Sequence, residues 1–163
     1  MSEATTRAIL KAVLDTVSNI GTVHDFQRLS TEYSTFLNFF KASVGGTDYI
    51  RGWTIQLQGW PETEYLDEDF ESGVKQVIRT YTYKIRGYFG VDDSAASEKT
   101  AAGLVEDVTE ALDFADTIHG EDDYWGPVPP STLDLFEPRR FGGALCHVAE
   151  ITQKLKEIVA LTS

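Results

Sequence analysis

Between Val77 and Phe89 the chain reads VIRTYTYKIRGYF, and Val77, Tyr81, Tyr83, Ile85 and Phe89 all fall on one parity. A period of two is the spacing of a β-strand that rests one face on a core. The other parity carries Ile78, Thr80, Thr82, Lys84, Arg86 and Tyr88. That mixture of hydroxyls, cations and one aromatic suits water or a second protein. A strand of about a dozen residues is also longer than the usual five or six. It predicts the spine of a sheet with one face left open.

Two further segments alternate in the same way. Trp53, Ile55 and Leu57 oppose Thr54, Gln56 and Gln58, giving a strand over 50–59 that Trp60-Pro61 ends, because proline lacks the N–H a ladder needs. Leu145, His147, Ala149 and Ile151 alternate with Val148, Glu150 and Thr152 in a third strand after Gly142-Gly143, and Leu155 to Leu161 fits a helical turn or an extended strand. Helical spacing appears twice. Ile9, Leu10, Val13, Leu14, Val17 and Ile20 predict an amphipathic helix over 5–20 stopped by Gly21, and Leu104, Val105, Val108, Ala111, Leu112 and Ala115 predict one from Ser97 to about Ile118, with Ser94 or Ser97 as its N-cap. Segment 21–29 suggests a short extended piece, and the aromatic segment 33–44 fits a strand or a helical turn before Gly45-Gly46.

Two stretches read as long loops, 60–76 and 120–143. The first is acidic, with Glu62, Glu64, Asp67, Glu68, Asp69 and Glu71 around Tyr65, Leu66 and Phe70; the second holds four of the five prolines. The order of elements predicts one α+β domain over 1–163, with a mixed or antiparallel sheet, helices packed on one face and long connections. The uncovered face then needs a partner.

Charge narrows the partners. With 26 acidic and 14 basic residues the net charge is −12, which opposes binding driven by phosphate neutralisation. Cys146 is the only cysteine, so neither an intramolecular disulfide nor a cysteine zinc site is available, and a reducing environment with a buried thiol is the expectation. The first residues, MSEATTRAILK, lack the apolar core of a signal peptide, and no apolar run approaches the roughly 20 residues of a membrane span.

Catalytic groups are sparse. His24, His119 and His147 are far apart and fit no metal spacing, and His24 and Asp25, adjacent on an extended segment, point to opposite faces. His147 falls on the inward parity as an edge-of-core residue. Asp113, Asp116, Glu121, Asp122 and Asp123 gather oxygen ligands near a helix end, with the imidazole of His119 among them, but without the glycine and spacing of an EF-hand. No nucleophile elbow, P-loop or dinucleotide fingerprint occurs. The residues therefore imply no catalytic group, cofactor or metal. They point to contact regions instead: Thr80, Thr82, Lys84, Arg86 and Tyr88 on the open face, Tyr65 and Phe70 in the acidic segment, and Arg139 and Arg140 between Phe136 and Phe141.

The amphipathic helix over 9–20, the VHDF element at Val23, the WTIQL strand at Trp53, YTYKIRGYF, the connecting helix and the final CHVAEI strand together resemble the tail-terminator and neck proteins of tailed bacteriophages. The resemblance implies an α+β subunit assembled as a ring, usually six-fold, that caps the tail tube and joins it to head-completion proteins, with a channel for DNA at ejection. The partners so implied are further copies of the chain, the tail tube protein and a neck protein, in a virion assembled in the host cytoplasm. Six copies at −12 each carry about −72, in keeping with a lumen that repels DNA. A head-completion or tube-like subunit is the nearest alternative. From other classes, a small metal-dependent hydrolase would use the Asp113 to Asp123 cluster, and an acidic adaptor would mimic DNA.

Overall fold

The computed structural model describes residues 3–28, 30, 32–44, 46–69, 74–92, 95–115, 124–141 and 143–161, with positions 44, 67–69, 74 and 124–126 as backbone only. The chain runs α1 (Glu3–Asp15), β1 (Thr22–His24), α2 (Tyr33–Phe40), β2 (Lys41–Val44), β3 (Thr47–Leu57), β4 (Glu62–Asp69), β5 (Val74–Gly90), α3 (Ser97–Phe114), β6 (Tyr124–Phe141) and β7 (Ala144–Leu161). It is an α+β fold around one mixed sheet. The strand order is β1-β3-β5-β7-β6, with β2 also on β3 and β4 also on β5; among the described residues the β1–β3 pairing is parallel and the others are antiparallel.

The centre of the sheet is the β5–β7 ladder. It pairs sixteen consecutive residues without a slip, from Lys75 opposite Leu161 to Gly90 opposite Cys146. The parity of β5 sorts as expected: Tyr81, Tyr83, Ile85 and Phe89 join Trp53, Ile55, Ala149, Ile151 and Leu155 in the main core. α1 lays Leu10, Val13 and Leu14 on this face and α3 lays Leu104, Val105, Val108 and Leu112. Burial of side chains of this size stabilises by about 1.5–3 kcal/mol each. Trp53 sets its indole across Gly87, where a Cβ would come 2.8 Å from the ring, and donates Nε1–H to the Ile20 carbonyl at 3.1 Å. The third helix differs from the expected one-sided arrangement. α2 sits on the opposite face, where Phe36 and Phe40 pack on Tyr88, Cys146 and Val148.

Within both expected loops most of the described residues are in strands. Segment 62–69 is β4, pairing with β5, its charges suiting an edge that water solvates. Segment 124–141 is β6, whose prolines are tolerated because only β7 pairs with it. The ambiguous tail 155–161 continues β7. The first helix stops at Asp15, not Ile20, because the amides of Thr16 and Val17 bond to carbonyls three residues back and the Thr16 hydroxyl takes the Val13 carbonyl. α3 begins at Ser97 with no side-chain cap; the Ser97 hydroxyl instead accepts the Asp92 amide at 2.8 Å and meets His147 Nε2 at 3.2 Å. Ser94 and the residues after Ala115 on the way to Ile118 lie outside the described residues.

The outer strands break at one level. From Leu57 to Glu62 the chain takes five steps while β5 takes three, Tyr83 to Thr80, so two residues loop out around Gly59, whose φ is +69°. On the other edge Val128 to Thr132 takes four steps while β7 takes two, Lys154 to Thr152. These bulges flank the same rows of the central ladder. Gln153 secures one of them by donating Nε2–H to the Val128 carbonyl at 3.0 Å. α1 reaches this level through a hydrogen bond between Thr6 and Tyr83, and α3 through Asp113, which accepts the Ser131 amide at 2.6 Å. Beyond it the sheet continues as four strands, β4-β5-β7-β6.

Candidate interaction surface

The face of the sheet opposite α1 and α3 carries the even-numbered residues of β5. In a ladder, residues directly opposite share a face, so the rows can be read from the register. Gly52, Tyr88 and Val148 form one row, Thr54, Arg86 and Glu150 the next, and Gln56, Lys84 and Thr152 the third. Past the bulges come Thr82 with Lys154, then Glu62, Thr80 and Lys156, then Glu64, Ile78 and Ile158.

In the first three rows the charges are matched within the chain. Glu150, whose side chain is 13% exposed, receives Lys84 at 3.2 Å and Arg86 at 2.9 Å and lies 4.0 Å from Arg139. Asp134, the residue looped out between Leu133 and Leu135, accepts the Thr152 hydroxyl and stands 3.8 Å from Lys84. Arg139 is also bound by Glu137 at 2.7 Å. Lys84 and Arg86 thus share a face, as their parity predicts, and Arg139 joins them from β6, where a loop was expected; all three are engaged with their own carboxylates. Tyr88, expected among the contact residues, differs. It is buried beneath α2, edge-on to Phe36 and Phe141, and burial raises its pKa, so it is not a surface contact residue.

The rows past the bulges differ. Lys154 is exposed and Lys156 half-buried; among the described residues neither has an ion-pair partner. Thr80, Thr82, Ile78 and Ile158 around them are half-buried. Sequence reading missed both lysines because Gln153 and Glu157 occupy inward positions where apolar residues are expected; the signal was the two lysines at i, i+2. Glu157 is 1% exposed and accepts the Tyr81 hydroxyl at 2.8 Å on the helix side of the sheet.

The remaining expected contacts scatter. Tyr65 is 60% exposed on β4, in a row with Val77 and therefore on the helix side of the sheet. Arg140 is exposed on β6, opposite Leu145. Phe70 lies outside the described residues, as do Asp116, His119, Glu121, Asp122 and Asp123 of the acidic cluster. Asp113, its described member, is tied to Ser131. Trp60, read only as a strand terminator, is 91% exposed at the bulge.

His24, His147 and Cys146 serve packing. His24 Nε2 meets the Phe39 carbonyl at 2.8 Å, and His147 stacks on Phe136 while meeting Ser97. Among the described residues no carboxylate orients His147, and the Ser97 hydroxyl is already engaged at the start of α3. Burial pushes the Cys146 thiol up to about 11, leaving little thiolate at neutral pH. Among the described residues no group of three or more His, Cys, Asp or Glu side chains is placed to hold a metal ion, and no helix is long and apolar enough to cross a membrane. No protein-family model matches this chain, and no curated protein matches it in sequence.

Proposed function

We propose that this chain is a non-enzymatic structural subunit of a tailed-bacteriophage virion, a tail-terminator-like protein. Its copies form a ring, six-fold as in the family it resembles, at the head–tail junction. The ring ends growth of the tail tube, joins it to a neck protein and leaves a channel for DNA. Complementary surfaces carry the mechanism, with no bond made or broken.

The observation that carries this reading is the continuation of the sheet past the level where its outer strands bulge. A self-sufficient domain gains little by extending four strands past the bulges with the face opposite α1 and α3 uncovered among the described residues. That face instead offers hydroxyls, half-buried isoleucines and unpaired lysines to something outside the chain, and Trp60 stands exposed at its margin. The edges are poor docking sites by comparison: β6 carries Pro127, Pro129, Pro130 and Pro138, and β4 is acidic, both features that discourage edge-to-edge pairing. Face contacts, more than strand addition, are thus the favoured mode. A net charge of −12 per copy suits a channel wall that DNA slides past.

The test is electron microscopy of the purified protein alone and with polymerised tail tubes. Rings with a central hole, bound at tube ends and shortening tubes assembled in their presence, are the expected result. A protein that stays single-copy and leaves tube length and tube ends unchanged would overturn the reading.

A further inference from the structure

α3 carries charges that its own fold does not compensate. Glu106 and Glu110 are exposed at i, i+4, Asp107 is exposed beside them, and Phe114, the next residue on that stripe, is 77% exposed. Like charges at this spacing destabilise a helix. Acidic groups toward a helix C-terminus also oppose its dipole, and α3 has no basic residue in its last turn. No ion pair within the described residues relieves Glu106, Asp107 or Glu110. An open cleft runs alongside, between the turn after α1 at Thr16, Val17 and Ser18 and the Asp107, Glu110 and Phe114 side of α3.

The complementary set lies on the far side of the sheet. Lys154 and Lys156 project from one face of β7, about 7 Å apart along the strand, with Ile158 next in line and Ile78 directly across from it. Elsewhere on that face Lys84, Arg86 and Arg139 are each within reach of a carboxylate. Of the acids on this face, Asp134 is taken up by Thr152 and Lys84, and Glu62 and Glu64 of β4 lie two strands from β7; among the described residues none forms an ion pair with either lysine. Because α3 packs on the other face, the acidic stripe and the two lysines of one molecule cannot meet.

We infer that the α3 stripe of Glu106, Glu110 and Phe114 docks on the Lys154, Lys156, Ile78 and Ile158 face of a second copy of this chain. Carboxylates meet ammonium groups and Phe114 covers the paired isoleucines. The two patches are different surfaces, so the contact is heterologous, and repetition of it builds a ring where the rotation closes. The inference rests on the ring reading above and adds which surfaces make it. Salt weakens the contact, since its charges lie at solvent-exposed positions.

Charge reversal tests it by light scattering coupled to size exclusion, on the full chain at low salt. One variant combines Lys154→Glu with Lys156→Glu, a second combines Glu106→Lys with Glu110→Lys, and a third carries all four changes. The wild type is expected to be multi-copy. Each two-site variant alone places like charges at every junction and is expected to need a roughly 100-fold or higher concentration to assemble. Mixing the two variants, or combining the changes in one chain, restores opposite charges at every junction and is expected to restore the wild-type mass. Three of the four positions are exposed and Lys156 is half-buried without a partner, so folding is expected to persist; circular dichroism and melting check it. If the wild type assembles and both folded variants assemble equally well, or if neither the mixture nor the four-site chain recovers assembly, the contact is wrong while the ring reading stands. If the wild type is single-copy throughout, both fall. An assembly that obeys the charge swap but ignores tail tubes sinks the virion role and leaves the contact intact.

Discussion

From Tyr83 to Gly90, β5 lies beneath α1 and α3 on one side and is tied off by ion pairs and by α2 on the other; from Lys75 to Thr82 the same strand, paired to the same neighbour, has a second face that no described element covers. Its partner β7 repeats the contrast. Ile151 is sealed in the core, Glu150 gathers three cations, and four residues later Lys154 stands exposed with no carboxylate partner among the described residues. A continuous ladder therefore does not imply a uniform surface. What changes across the bulges is the surroundings of the central strands, since the outer strands slip by two residues on both edges there while the β5–β7 register stays intact. The first half is covered on both faces; the second, whose Tyr81 and Leu155 also enter the main core, is covered among the described residues on one.

The contrast can be broken most severely in the first half. Ile85→Ala removes a fully buried side chain between two helices and is expected to cost about 3 kcal/mol in chemical denaturation. A loss under 1 kcal/mol would mean that the core does not centre on this strand. Past the bulges, Tyr81→Phe deletes the hydroxyl donated to buried Glu157 at 2.8 Å and is expected to cost about 1.5–2 kcal/mol. Unfolding should stay one cooperative transition, because the ladder is unbroken; a separate early transition would show that the second half melts alone.

Alkaline pH probes the first half by another route. Burial raises the Cys146 thiol from 9.0 to about 11 and, as the main cause, the Tyr83 phenol from 10.0 to about 12. Each group holds its proton more tightly folded than unfolded, so the stability it contributes is fully present below the unfolded value and lost as pH rises through the folded one. The melting temperature is therefore expected to be insensitive to these groups at pH 7–8 and to fall progressively from about pH 9 to 12. Replacing Cys146 with Ala should remove the earlier part of that fall; an unchanged profile would show that the thiol is not held in its neutral form. The smallest effect is expected at Trp60. At 91% exposure, Trp60→Ala should shift stability by no more than about 0.5 kcal/mol, while weakening assembly or tube binding; a large loss of stability would mean that the indole packs on the chain itself.

Much of the first half is legible in the sequence, because there the apolar parity of Tyr83, Ile85 and Phe89 and the helical spacing of Leu104, Val105, Val108 and Leu112 each obey a single rule. The second half disguises itself. In β4 the charges of an edge strand mask the alternation of Glu62 and Glu64 with Thr63 and Tyr65. In β6 the prolines, which forbid a central strand, are compatible with one paired on a single side. In β7 the buried Gln153 and Glu157 interrupt the apolar parity because the first holds a bulge carbonyl and the second takes the Tyr81 hydroxyl. These long-range reasons are invisible locally. The covering of Tyr88 was also long-range, although Phe36 and Phe40, spaced at i, i+4, already formed a helical apolar pair seeking a surface.

The account stands or falls on whether the open second half of the sheet is covered by another copy, and the mass of the wild-type chain in solution measures that directly. Light scattering across a hundredfold range of concentration at low salt should give one discrete multiple of the 18.1 kDa chain mass, falling toward a single copy as salt is raised. A mass of one chain at every concentration and salt would contradict it.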